Sequence, residues 1–259
     1  MVRACKRSLR ALVFALPLIL SAPAWGGPPF MTDDPEPVDY GHWEIDAFSA
    51  GAYRAADVSG VGPALEVNYG VAENVQLHSI FNSAFDHPAG QASQFGVGDT
   101  ELGVKYRFIT PGADDWYPEV AVFPLLEVPS GNARDGLGSG HLQEFLPVWV
   151  QKNFDKWSVY GGGGYWITPG AGNRNYWFSG LLVQRQITDH FALATEVFHQ
   201  TSSMSGRDGS SGFTVGSITD ISDHVHILIS AGRGGFSYVL DTSAVHDPFT
   251  YYAGLQFTF

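Results

Sequence analysis

Four groupings in this 259-residue chain have residue types and spacings that chemistry could use. His199-Gln-Thr-Ser-Ser sets a hydroxyl, Thr201, two positions after an imidazole, so on a strand the two share a side and the ring could take the hydroxyl proton. Thr is a crowded nucleophile there, and no residue to orient His199 is identifiable. An interface histidine at a strand end is the expected role. His224-Val-His226 also places two imidazoles on one side of a strand, yet structural zinc wants four ligands. Asp33-Asp34 could hold a cation but brings no further ligands at defined spacing. The run Gly161–Gly164 has no following Lys-Ser or helix, so phosphate cradling fails, and close approach of neighbours to a bare stretch of wall is expected instead. No catalytic residue, metal or cofactor is predicted from these groupings.

A fifth pattern is broader. Asp99, Glu101, Lys105 and Arg107 share one parity, and Thr100, Leu102, Val104, Tyr106 and Phe108 share the other. The same alternation assigns Asp46, Glu66, Glu119, Glu127 and Glu196 to an ionised face, with Lys105, Arg107 and Arg185 as partners. Such a face would line a lumen selective for polar or cationic solutes, or fill a narrow barrel with salt bridges.

The elements that must carry these residues are short alternating strands. They are predicted near 42–54, 62–70, 74–84, 97–109, 117–127, 142–153, 157–167, 176–187, 190–200, 212–221, 224–233 and 249–259. Their connections alternate in length. Gly70–Asn74, Asn153–Lys156, Thr188-Asp189 and Ser222-Asp223 are tight, while His87–Gly96, Ser130–His141, Pro169–Asn175, Ser202–Ser211 and Gly234–Asp247 are longer. Outer-membrane barrels show this asymmetry, with short periplasmic turns, long extracellular loops and an even strand number.

Periodicity alone does not say which face is inside; the aromatics do. In the last strand Phe249, Tyr251, Ala253, Leu255, Phe257 and Phe259 form one face, aromatic at both ends and small or aliphatic between. Trp43 and Tyr53 bracket Ile45, Ala47, Ser49 and Gly51 in the same way. Rings at the two ends of an apolar band belong at headgroup depth, whereas a soluble core would centre them. The expected fold is therefore all-β, a transmembrane antiparallel up-and-down barrel of about twelve strands over residues 42–259.

The flanks agree with export. Arg3, Lys6, Arg7 and Arg10 precede ten residues, Ala11–Leu20, too few to span as a helix, and small residues follow at Ala22 and Ala24. Residues 1–24 read as a signal peptide, and the single Cys5 lies within it. Without those four cations, ten Lys and Arg face 26 acids, a formal charge of −16 that excludes nucleic-acid partners. Residues 25–41 form an extended segment rich in proline and acid; Asp33, Asp34 and Glu36 make it a candidate acidic plug meeting Lys105 and Arg107, or else a periplasmic tail.

Several runs resemble a family of outer-membrane proteins labelled as transporters of the phenol-degradation MetA-pathway type. They are Pro28–Val38 with Gly41-His-Trp-Glu44, Gly98–Phe108, Phe123–Gly131, Gly161–Trp166, Ser230–Gly234 and the last strand. The resemblance implies a barrel and passage of small organic molecules, and supplies no catalytic residues. The expected function is a passive outer-membrane channel for small, including aromatic, organic solutes, entered through the loops around Ser130–His141 and Gly234–Asp247. The alternatives are a non-conducting structural or adhesive barrel and, third, a lipid-modifying enzyme. Expected partners are outer-membrane lipid, the solute, and the barrel-assembly machinery through the C-terminal strand.

Overall fold

A computed structural model describes residues 27–54, 57–112, 115–234 and 248–259. The predicted signal peptide and most of the Gly234–Asp247 loop lie outside the described residues. The strands are β1 (Trp43–Arg54), β2 (Asp57–Ala72), β3 (Val75–His87), β4 (Gln94–Val97), β5 (Thr100–Ile109), β6 (Glu119–Val122) and β7 (Leu125–Val128). They continue with β8 (Gln143–Phe154), β9 (Trp157–Ile167), β10 (Tyr176–Thr188), β11 (Phe191–Gln200), β12 (Ser210–Ser222), β13 (Val225–Arg233) and β14 (Phe249–Thr258).

These fourteen segments make twelve staves. β4 and β5 follow one another along β3, and β6 and β7 follow one another between β5 and β8. The first interruption is Gly98-Asp99, where a Cβ on residue 98 would collide with the Asn82 side chain. The second is Phe123-Pro124, where proline has no N–H for the ladder. All pairing between the strands is antiparallel, and β14 closes the ring on β1 from Glu44↔Thr258 to Tyr53↔Phe249. Trp43 and Phe259 exchange both backbone bonds at the foot of that seam, 3.0 and 2.9 Å. The predicted strands match the staves closely; the largest difference is β2, which starts at Asp57 rather than residue 62.

Two-residue turns join β2 to β3, β8 to β9, β10 to β11 and β12 to β13. Asn74 and Asp155 take left-handed φ of 62° and 53° there, which Asn and Asp tolerate better than other side chains. At the opposite end the loop between β7 and β8 is pinned by Asp99, whose carboxylate accepts from Gly131 N, Ser139 N and Ser139 Oγ at 2.6–2.8 Å.

The distribution of side chains is inverted relative to a soluble barrel. Leu65, Phe81, Leu146, Leu181, Val197 and Ile229 stand at least 42% exposed on the outer wall, while Asp46 and Glu196 are fully buried inside. No helix of the described residues is long and apolar enough to cross a membrane, and the strands cross it instead. One expectation is corrected here. Arg185 shares the outward parity of Leu181 and Val183, so it is not a lumen partner. Its guanidinium lies 5.0 Å from the Trp157 ring on the outer rim near the short turns, where a long cation reaches water past an aromatic.

Candidate functional site

The N-terminal segment lies inside the barrel. From the short-turn end, Tyr40 bridges Gly70, and Val38 N donates to Gln76 Oε1 at 2.8 Å. Gln151 donates to the Glu36 carboxylate. Lys105 Nζ reaches Asp33 at 3.0 Å and Asp34 at 3.4 Å, with its charge 5.0 Å from the Phe123 ring. Deeper still, Glu196 accepts from Met31 N at 3.3 Å and Thr32 N at 2.5 Å, and Ser230 Oγ donates to Pro29 O at 2.6 Å. Phe30 packs on Tyr160, Leu182 and Ala194. Proline density explains why the segment adds no stave: with so few N–H groups it fastens through single bonds to wall side chains. Gly180 makes room for it, since a Cβ there would strike Thr32 Oγ1.

Asp33-Asp34 thus holds a lysine, and among the described residues no cluster suits a metal ion. The other predicted plug partner, Arg107, binds Glu119 at 2.9 Å and Asn74 at 3.0 Å rather than the segment. Glu36 is half-buried where the segment meets the wall. That burial, then the nearby Asp34 and Glu119 carboxylates, push its pKa up to about 8.

The acidic lining forms one connected wall. Asp46 sits opposite Glu66, and Glu66 accepts from Asn68 Nδ2 at 2.9 Å. His78 bridges Asn68 at 2.8 Å and Glu101 at 2.9 Å. Glu101 faces Glu127 across β5 and β7, and Gln143 donates to Glu127 at 2.8 Å. Asp99, grouped with this lining from sequence, is at its loop-side margin and is taken up by the loop contacts above.

Opposite that wall is a feature the charge pattern did not announce. Phe123, Phe145, Trp149, Trp166, Phe178 and Phe198 pack together on the inner face. Phe145 stacks on Trp166 at 4.8 Å and meets Phe178 and Trp149 edge-on at 6.3 and 6.4 Å. Their alternation was legible, but parity assigns only a side; register decides that β8, β9, β10 and β11 bring these rings to one patch. Gly162 and Gly164 belong here: a Cβ on either would meet the backbone of β8, and one on Gly162 also the Trp149 ring.

Among the described residues two cavities meet the N-terminal segment. One, of about 350 Å³, opens between the short turns and is lined by Glu36, Glu44, Asn68, His224 and Phe259 among others. The second lies on the loop side between the aromatic patch and Glu66, His78 and Glu101, with Met31 against it. Both touch Gly27, Pro28, Asp33, Glu66 and Phe123, so they meet at the N-terminal segment.

The histidine candidates separate. His226 is buried and bonds Asp220 at 2.8 Å, whereas His224 is in the exposed turn, so they form no chelate. Thr201 does not serve His199: its Oγ1 accepts from Trp177 N at 2.9 Å. The hydroxyl beside His199 Nδ1 is Ser211, at 2.8 Å on the neighbouring stave.

No family model and no curated protein matches the sequence. Among solved structures the chain is similar to the COG4313 outer membrane channel from Pseudomonas putida F1, with TM-score 0.67 and 16% identity over 87% of this chain and 98% of that one. It is also similar to the KdgM porin (TM-score 0.56, 12% identity, 83% of this chain and 99% of that one). The NanC porin gives the same score and identity over 82% and 98%. Closed ring, apolar outer wall and these likenesses agree: the protein is a twelve-stave outer-membrane β-barrel with the fold of channels and porins.

Proposed function

We propose that the protein is a passive outer-membrane channel for small aromatic organic solutes, with residues 27–38 as a plug across its middle. The observation that carries this reading is the pair of cavities meeting at that segment. One opens at the short-turn end, the other carries an aromatic wall, and what separates them is a stretch of chain held by individual side-chain bonds rather than a ladder. Aromatic solutes gain from stacking on Trp166 and Phe178. Glu66, Glu101 and Glu127 opposite them favour cations or hydrogen-bond donors over anions. The resemblance to phenol-pathway transporters supports the same substrate class.

Planar-bilayer recording of the full mature chain and of a form lacking residues 27–38 tests this. The shortened form should conduct more, with a reversal potential showing cation preference. Liposomes carrying it should take up an aromatic amine faster than benzoate. Absence of openings in both forms at every voltage would instead support the non-conducting barrel.

A further inference from the structure

The loop-side cavity is built from two sources. Wall residues supply most of its lining, and Phe30, Met31 and Asp33 of the N-terminal segment supply part of the rest. Three carboxylates reach it, Asp33 from the segment, Glu66 from β2 and Glu101 from β5, and among the described residues no lysine or arginine lines it. His78 is there too, with one ring nitrogen on Asn68 and the other on Glu101. Lys105 Nζ and Asp34 N both donate to Asp33 Oδ1, at 3.0 and 2.8 Å, which leaves Oδ2 for a donor in the cavity. The aromatic side brings a donor of its own. Trp149 lines the cavity, is 2% exposed, and its indole N–H has no hydrogen-bond partner among the described residues. Indole only donates, so that group calls for an acceptor, and a buried N–H left unmade is costly.

Size narrows the choice. The cavity holds about 90 Å³, roughly the share of three water molecules in the liquid. An ammonium with a few more heavy atoms fills it; a whole aromatic ring does not. Phe145, Trp166 and Tyr176 stand at the loop ends of their staves, Phe145 on Trp166 at 4.8 Å and Trp166 on Tyr176 at 6.0 Å, so a ring belongs on that side. We propose that the cavity binds an arylalkyl ammonium with a hydroxyl on the carbon next to the one bearing nitrogen, and that the docked segment completes the site. The ammonium donates to Asp33, Glu66 and Glu101, the hydroxyl oxygen accepts from Trp149 Nε1, and the ring lies loopward against Trp166 and Tyr176. This names the solute class of the site proposed above and rests on that reading, though not on conduction. A ligand that prefers the plugged form also holds the segment in, by the same factor.

Calorimetry on full-length mature protein in detergent at neutral pH tests this, with phenylethanolamine as probe. One equivalent should bind. Styrene glycol, which lacks the charge, and phenethylamine, which lacks the hydroxyl, should each bind about tenfold more weakly, the scale of one hydrogen bond. Trp149→Phe keeps a ring and removes the N–H, so phenylethanolamine and phenethylamine should then bind alike. The form lacking residues 27–38 should bind the probe about tenfold more weakly, and saturating probe should slow labelling of a Thr32→Cys thiol in the docked segment by that same factor. No binding, a glycol as good as the probe, a hydroxyl preference that survives in Trp149→Phe, or equal affinity with and without the segment overturns the proposal. Should the variants fail to fold, the comparison of the three compounds on the unaltered protein still decides it. These titrations need no current, so a barrel that binds in this pattern yet never conducts would keep the site and lose the channel.

Discussion

Replacing Lys105 by methionine is the sharpest perturbation of the segment. The ammonium holds Asp33 and Asp34 at 3.0 and 3.4 Å, and the pairs are largely sealed from water, with Lys105 and Asp34 side chains no more than 5% exposed. Removing one partner of a buried ion pair costs about 3–5 kcal/mol, because the charge left behind stays unpaired. The neighbouring cavity admits water, which places this case near the lower end, about 3 kcal/mol. At about 1.4 kcal/mol per decade, the docked-to-undocked ratio falls on the order of a hundredfold. Thr32, itself part of the segment, is fully buried, and the single cysteine of the chain lies in the predicted signal peptide, so Thr32→Cys supplies a unique thiol. Its reaction with a charged maleimide should accelerate on the order of a hundredfold in the Lys105→Met background, and open-channel current should rise with it. Adding Asp33→Asn and Asp34→Asn should slow labelling again, since no bare charge then remains. Equal labelling rates with and without Lys105 would refute the argument, showing that the acids do not hold the segment in place.

Further outcomes follow from the same contacts. Gly180→Val puts a side chain where Thr32 Oγ1 sits, so the segment cannot seat and the channel should conduct continuously, while the heat-modifiable gel shift of the folded wall persists. Glu36, raised from 4.5 to about 8 when docked, favours docking in its protonated form, so that contribution is complete below about pH 4.5 and is lost progressively as pH rises to about 8. Conductance should therefore climb between about pH 5 and 8 in wild type, level off above that, and lose that slope in Glu36→Gln. Asp99→Ala leaves Gly131 N and Ser139 N without their acceptor, and the β7–β8 loop should become cleavable by external protease in intact cells. Trp149→Ala opens the aromatic wall and should weaken block of the current by an aromatic amine by roughly tenfold, the scale of one lost ring contact.

Much of this architecture is readable from the chain. Alternation in β5 and β14, the inequality of turns and loops, and rings at both ends of the outward rows together specify the staves, the ring and the wet and greasy sides. The two interruptions are less legible, although Pro124 inside an apolar run is a usable signal. Arg185 shows where parity reasoning misleads: Gln184-Arg-Gln186 is polar on both faces, and only depth in the membrane explains an outward cation. The aromatic patch escapes for another reason. Phe145, Trp149, Trp166 and Phe178 lie on three staves whose mutual offset no local pattern encodes. The partnership of His199 with Ser211 rather than Thr201 is hidden likewise, since it depends on β11 and β12 lying side by side.

The reach of the N-terminal segment along the chain bears on how the molecule is born. Its fastenings at Glu196 and Ser230 join residues 165 and 201 positions apart, so they form only once the first and the last thirds of the chain have come together. The cork therefore has no bottle neck to grip until the vessel is nearly complete. Each newly made barrel passes through a leaky interval before it seals, and during assembly permeability to small dyes should outlast the appearance of detergent-resistant protein.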